Sequence, residues 1–239
     1  MSNGVNQSAA APVADYHRVY VWELPVRIFH WVNAACIAIL CGTGYVIGSP
    51  LHLFSSPEAY TQYWFGIVRF THFLTAFVFS FNLLMRLYWG FVGNGYCRWK
   101  TYLPLTKRQR QEVAEVMRAD VFQVKLHGPL SLGHNALAST IYVILFLVSL
   151  VQVVTGFVLY SSMSRSFLPR LFGFVRSAAG SEFGLRFVHH VAMWFFILFV
   201  LVHVYLTFYH DYIEGRGTIS SIVGGWKFHR RPADTGKHE

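Results

Sequence analysis

The chain has 239 residues and a formal net charge of +9, yet only 13% of its residues are charged while 54% are hydrophobic and 18% aromatic. A soluble domain is about a quarter charged, so this composition excludes one; the basic surplus lies between apolar runs rather than in one patch, which argues against nucleic acid as a partner. No P-loop, G-x-S-x-G or H-E-x-x-H pattern occurs and no acid lies inside the apolar runs, which argues against nucleotide or hydrolytic chemistry and against proton pumping through mid-membrane carboxylates.

Four runs of about twenty apolar residues, each able to cross a hydrocarbon core of roughly 30 Å, fall near 28–48, 66–92, 136–161 and 185–209. Residues 1–17 read as a disordered tail, polar and Ala-rich, without the basic and apolar regions of a cleavable signal, so the first span should itself direct insertion. A membrane domain then covers 18–226, and 227–239 read as a basic cytoplasmic tail. Pro25 suits a helix start and Trp31 an interfacial belt, with His30 at the entrance of the first span. That span closes on Gly42-Thr43-Gly44-Tyr45. Gly44 and Gly48 make a small-x-x-x-small pair, read either as close helix packing or as room for a flat macrocycle.

Loop 49–65 carries no Lys or Arg. The second span places His72 near its start and Arg86 one turn before its end, where the side chain can snorkel to headgroups, and stops at the turn signal Gly93-Asn94-Gly95. Residues 107–125 pattern as an amphipathic helix lying on the cytoplasmic surface. His134 and Asn135 stand at the entrance of the third span, which ends in Thr155-Gly156-Phe157, an echo of Thr43-Gly44-Tyr45 that hints at one object flanked by both helices. Cys36, Cys41 and Cys97 form no C-x-x-C-H, so a haem would be held without thioether bonds. With both termini and segment 93–135 in the cytoplasm, fourteen Lys and Arg lie inside against three in the outer loops, as the positive-inside rule requires.

The last span, Arg186 to His210, holds histidines at two depths. His203 follows His189 by 14 residues, a rise of ~21 Å with only about 40° of residual rotation, so both face one way. His190 lies on nearly the opposite face from His203 and is the poorer partner. Because successive spans reverse direction, His72 and His189 share the outer level and His30 and His203 the inner one. Two histidines per level, from different helices, is what a six-coordinate haem iron needs. Arg27, Arg69 and Arg186 each precede a histidine by three residues and so share its face; they read equally as propionate clamps or as interfacial snorkels. His134 and Asn135, at the inner level, could hold a quinone carbonyl, with helix capping by Asn135 an equal rival.

The stretches E-L-P-V-R-I-F-H-W (23–31), G-I-V-R-F-T-H-F (66–73), L-L-M-R-L-Y-W-G-F-V-G-N (83–94), L-G-H-N-A-L-A (132–138), H-H-V-A-M-W (189–194), H-V-Y (203–205) and T-I-S-S-I-V-G-G-W (218–226) together resemble the cytochrome b subunit of membrane-bound respiratory NiFe hydrogenases. The likeness covers about 18–226 and extends to the cytochrome b subunits of formate dehydrogenases. It implies an all-α integral membrane protein, a four-helix bundle binding two b-type haems in a bacterial cytoplasmic (inner) membrane. It further implies an electron-transfer subunit of a hydrogen:quinone oxidoreductase. Electrons would pass from an Fe–S small subunit, itself bound to a Ni-containing large subunit on the periplasmic face, to the outer haem at His72 and His189. The inner haem at His30 and His203 and then a membrane quinone would follow. The whole complex could associate as a dimer. A formate dehydrogenase or another quinone-linked oxidoreductase is the near alternative. A metal-ion transporter is the distant one, disfavoured by the aromatic bulk where a permeation path would need polar groups.

Overall fold

The computed structural model describes residues 16–49, 63–102, 136–164, 181–214 and 217–230, with isolated positions at Gln111, Phe167, Leu171, Phe172, Phe174 and Val175. In order, the elements are β1 (Tyr16–Tyr20), α1 (Leu24–Gly48), α2 (Tyr63–Val92), α3 (Trp99–Tyr102), α4 (Ala136–Ser161), α5 (Glu182–Glu214), α6 (Thr218–Gly224) and β2 (Trp226–Arg230). The four long helices have 25, 30, 26 and 33 residues, so at ~1.5 Å per residue each exceeds a bilayer core. Their outward faces carry Leu74, Phe81, Leu84, Leu198 and Leu201, all exposed, an apolar belt suited to lipid. The chain is a multi-pass membrane bundle.

Sequence and structure agree on the four spans and differ at their ends. α1 starts at Leu24, because Pro25 occupies the first turn where its missing N–H costs nothing, and α5 runs on to Glu214. The larger difference is a ribbon where tails were expected. Tyr16 and His17, read as the end of a disordered tail, and Lys227 to Arg230, read as a basic tail, pair as antiparallel strands with Tyr16 opposite Arg230 and Tyr20 opposite Trp226. The ribbon holds the two ends of the bundle on one side. The expected surface helix at 107–125 lies outside the described residues, apart from the single helical position Gln111, and so do His134 and Asn135.

α1 packs chiefly on α2, and α4 on α5. Aromatic contacts between α2 and α4, Phe73 with Tyr160 at 4.7 Å and Phe77 with Phe157 at 5.3 Å, join the two pairs. Beneath them a small core of Val21, Trp22, Val26 and Cys97 closes the ribbon side. Gly225, at φ 89°, takes the left-handed turn into β2; its carbonyl accepts from the Val21 and Trp22 amides, and a side chain there would meet the Tyr20 ring at 2.6 Å. Asp211 Oδ1 accepts from the Ile219 amide and so caps α6 from the preceding helix.

The turn after α2 is locked by Glu23, whose Oε2 accepts from Trp89 Nε1 at 2.9 Å and from the Asn94 amide at 3.0 Å, while Asn94 Nδ2 donates to the Val21 carbonyl. Cys97 is fully buried behind this lock, and burial pushes its thiol up to about 11; the Arg86 guanidinium pulls downward without reversing the shift. The protonated thiol therefore contributes stability that is complete below the ordinary thiol range and is lost as pH rises through about 11. Glu23→Ala orphans two donors and is expected to cost ~1–3 kcal/mol locally. With Cys36 and Cys41 replaced by alanine, Cys97 should resist maleimide at pH 8 in the parent and label readily in Glu23→Ala; equal labelling rates would refute the lock.

Arg86 does not snorkel. It is 1% exposed, donates from NH2 to the Cys97 carbonyl at 3.2 Å, and has its Cζ 5.1–5.9 Å from the ring centres of Phe29, Trp99, Tyr102 and Tyr142. After Gly93 the chain folds α3 back onto α2, so the aromatic partners come to the guanidinium and it has no need to reach for headgroups. Gly90 permits this, since a Cβ there would lie 2.1 Å from Trp99 Nε1.

Candidate haem sites

Helical periodicity puts His189 and His203 on one face of α5, and the bundle brings α1 and α2 to that face. At the inner level the ring centres of His30 and His203 are 6.4 Å apart, with planes inclined at 54°. Two imidazoles bonded to one metal from opposite sides, at roughly 2 Å per bond plus about 1 Å from nitrogen to ring centre, would stand about 6 Å apart. The spacing thus fits an iron between them. Phe199 stacks on His203 at 5.2 Å and Trp31 meets His30 edge-on at 5.2 Å, so each ring has an aromatic neighbour. His30 Nδ1 is buried with no hydrogen-bond partner.

At the outer level His72 and His189 lie within electrostatic reach of each other. Each is seated against the helix that precedes its own in the chain. Thr43 Oγ1 of α1 is 2.9 Å from His72 Nδ1, and Thr155 Oγ1 of α4 is 2.8 Å from His189 Nδ1. The adjacent glycines complete the seats. A Cβ on Gly44 would stand 3.3 Å from His72 Cε1, and one on Gly156 would stand 3.3 Å from His189 Cε1. The open side of Gly44 is therefore filled by an imidazole, and Met193, one turn beyond His189, closes the same spot at 3.5 Å. Gly48 serves a different ring, since its Cβ would fall 2.2 Å from His190 Nε2. His190 Nδ1 bonds the Arg186 carbonyl at 2.9 Å and its Nε2 is buried without a partner; this histidine faces Gly48 of α1 and stays within electrostatic reach of both His72 and His189.

The threonine seats are candidate site residues that sequence reasoning did not single out as such. The repeated Thr-Gly-aromatic tripeptide was their signal, but nothing along the chain says that a hydroxyl on α1 meets a ring on α2. Of the three arginines, Arg27 donates from NH1 to the Val223 carbonyl of α6, Arg69 reaches the Met163 sulfur, and the Arg186 side chain is exposed. Arg69 and Arg186 remain one turn outward from the outer pair. Among the described residues no group of three or more His, Cys, Asp or Glu is placed to hold a bare metal ion. A ring-bound iron needing only two axial nitrogens suits the donors that are present, with neutral imidazole as the ligand.

The profile of the prokaryotic cytochrome b561 family matches residues 21–225, which contain both histidine pairs and both threonine seats. Among curated relatives, the chain is 34% identical over 230 residues to a probable Ni/Fe-hydrogenase B-type cytochrome subunit of Cupriavidus necator, covering 95% of this chain and 93% of that protein. It is 38% identical over 213 residues to the protein of the same description in Azotobacter vinelandii, covering 87% and 88%. A probable Ni/Fe-hydrogenase 1 B-type cytochrome subunit of Escherichia coli is 36% identical over 216 residues, covering 88% and 91%. The four apolar helices, the facing imidazoles and this match over nearly the whole chain lead to one conclusion: the protein belongs to the prokaryotic cytochrome b561 family of haem-binding membrane bundles.

Proposed function

We propose that this chain is the di-haem membrane cytochrome of a NiFe hydrogenase, taking electrons from an Fe–S small subunit at the periplasmic face and delivering them to a membrane quinone near the cytoplasmic face. The observation that carries it is the approach of His30 on α1 to His203 on α5, ring centres 6.4 Å apart, and the electrostatic influence of His72 on α2 upon His189, 14 residues before His203 on α5, supports a second pair. Haem b, when bound, supplies reversible one-electron chemistry at iron. The chain's own residues then have distinct tasks. His72 and His189 hold the outer group and His30 and His203 the inner one, and the apolar helices exclude water from both. Arg69 and Arg186, each three residues before an outer histidine, would clamp propionates, Arg69 on leaving the Met163 sulfur, while Arg27 is shared with the Val223 carbonyl. His134 and Asn135 remain the candidates for the quinone carbonyls.

The names of the relatives support hydrogenase as the partner, and the charge distribution supports cytoplasmic termini, which the β1–β2 ribbon holds together on one side. The test is the complex isolated through a tag on this chain. Two haem b per chain, with dithionite-reducible b bands and nickel in the co-isolated large subunit, is the expected result. A single haem would defeat the di-haem reading, and molybdenum in place of nickel would move the protein to the formate dehydrogenase type.

A further inference from the structure

The two outer histidines are held by the same device, and the device has a direction. A hydroxyl has one proton. In Thr43 the Oγ1 lies 2.7 Å from the Ile39 carbonyl, and in Thr155 it lies 2.7 Å from the Val151 carbonyl, each four residues back on its own helix. A carbonyl only accepts, so each threonine proton is committed there, and the oxygen can only accept from the histidine. His72 and His189 are therefore protonated at Nδ1 and keep the Nε2 lone pair, the form that binds a metal through Nε2. Gly44 and Gly156 hold the same two rings at Cε1, so each ring is fixed in rotation as well as in tautomer. At the inner level the corresponding nitrogen of His30 is buried with no partner.

We infer that Thr43 and Thr155 are positioning residues that set the tautomer of the two outer ligands and hold the outer haem at a lower reduction potential than the inner one. The inference rests on the di-haem reading above. A hydrogen bond from Nδ1–H pushes electron density toward Nε2, making the imidazole a stronger donor that favours ferric over ferrous iron. The outer level has this bond twice, and His30 at the inner level lacks it. An electron entering at the outer level thus moves to the inner level energetically downhill, in the direction the proposed function requires.

Potentiometric titration of the intact complex, followed in the haem α band and in the low-spin ferric EPR signals, tests this with Thr43→Val, Thr155→Val and the two serine variants. Two haems per chain in the parent are the precondition, so failure of the di-haem reading shows before any substitution is made. Each valine is expected to keep both haems and to raise the lower potential by about 59 mV, a tenfold change in a one-electron equilibrium, leaving the higher one in place. Serine, which retains the hydroxyl, is expected to restore the parent value. Unchanged potentials, movement of the higher potential, or serine behaving as valine would each overturn the assignment. If valine expels a haem, the serine variants decide: two haems with an unshifted lower potential support the role of the hydroxyl, and a shifted one overturns it.

Discussion

His203→Ala is expected to halve the haem content, removing one b-type centre and leaving the other with its spectrum and potential intact. The ring of His203 stands 6.4 Å from that of His30, and loss of either leaves a single axial nitrogen at that level. A five-coordinate haem retained there would turn high-spin, so either haem loss or a high-spin signal confined to one centre meets the expectation. His30→Ala should leave the same residual spectrum as His203→Ala. His72→Ala and His189→Ala should leave the complementary one. The comparison that decides is between His189→Ala and His203→Ala, two changes on one helix 14 residues apart. Identical residual spectra from these two would sink the pairing by level. The imidazoles are partners between helices, so the chain should still insert and its apolar faces should still meet lipid in every variant.

A comparable loss at the outer level is expected from Gly156→Val or Gly44→Val, although neither residue can bind anything. A Cβ at either position would already be 3.3 Å from an imidazole carbon, so alanine requires a displacement of a few tenths of an ångström, and the branched methyls of valine would overlap the ring. Overpacking of this kind costs ~1–3 kcal/mol, and misplacing groups that support a ligand lowers metal affinity about 10–100-fold. Valine should therefore deplete the outer haem and spare the inner, while alanine should weaken outer binding without abolishing it. Gly42 is the control on the same helix, since a Cβ there meets nothing within 4 Å and Gly42→Ala should be neutral. Haem content after extensive washing, read beside the α-band spectrum, distinguishes the three substitutions. Equal haem retention in Gly42→Ala and Gly156→Val would show that the seats are not needed.

Much of this architecture is legible along the chain, for a physical reason. Lipid permits only long apolar helices here, so four apolar runs imply four spans. The fixed rise and rotation of the helix turn the 14-residue spacing of His189 and His203 into two levels on one face. Arg86 shows where that reasoning stops. Near a helix end the sequence favours a side chain reaching for headgroups, whereas the returning chain supplies Trp99 and Tyr102, and α4 supplies Tyr142, as a cage. The ribbon between Tyr16–Tyr20 and Trp226–Arg230 was hidden for a related reason. Two short strands some 200 residues apart have no local signal of their pairing, and only the even number of spans brings them together.

By itself the sequence determined the solvent and the number of crossings, which follow from composition, and it framed the expected orientation and the expected level of each histidine through the distribution of Lys and Arg and helical periodicity. Tertiary structure alone decided which partner the Nδ1 atoms of His72 and His189 meet. That choice depends on a hydroxyl and a glycine from a neighbouring helix, at Thr43-Gly44 for His72 and Thr155-Gly156 for His189, with each threonine's proton already engaged on its own backbone. A hydrogen bond between helices is fixed by their relative rotation and approach, and no spacing within one chain segment specifies either.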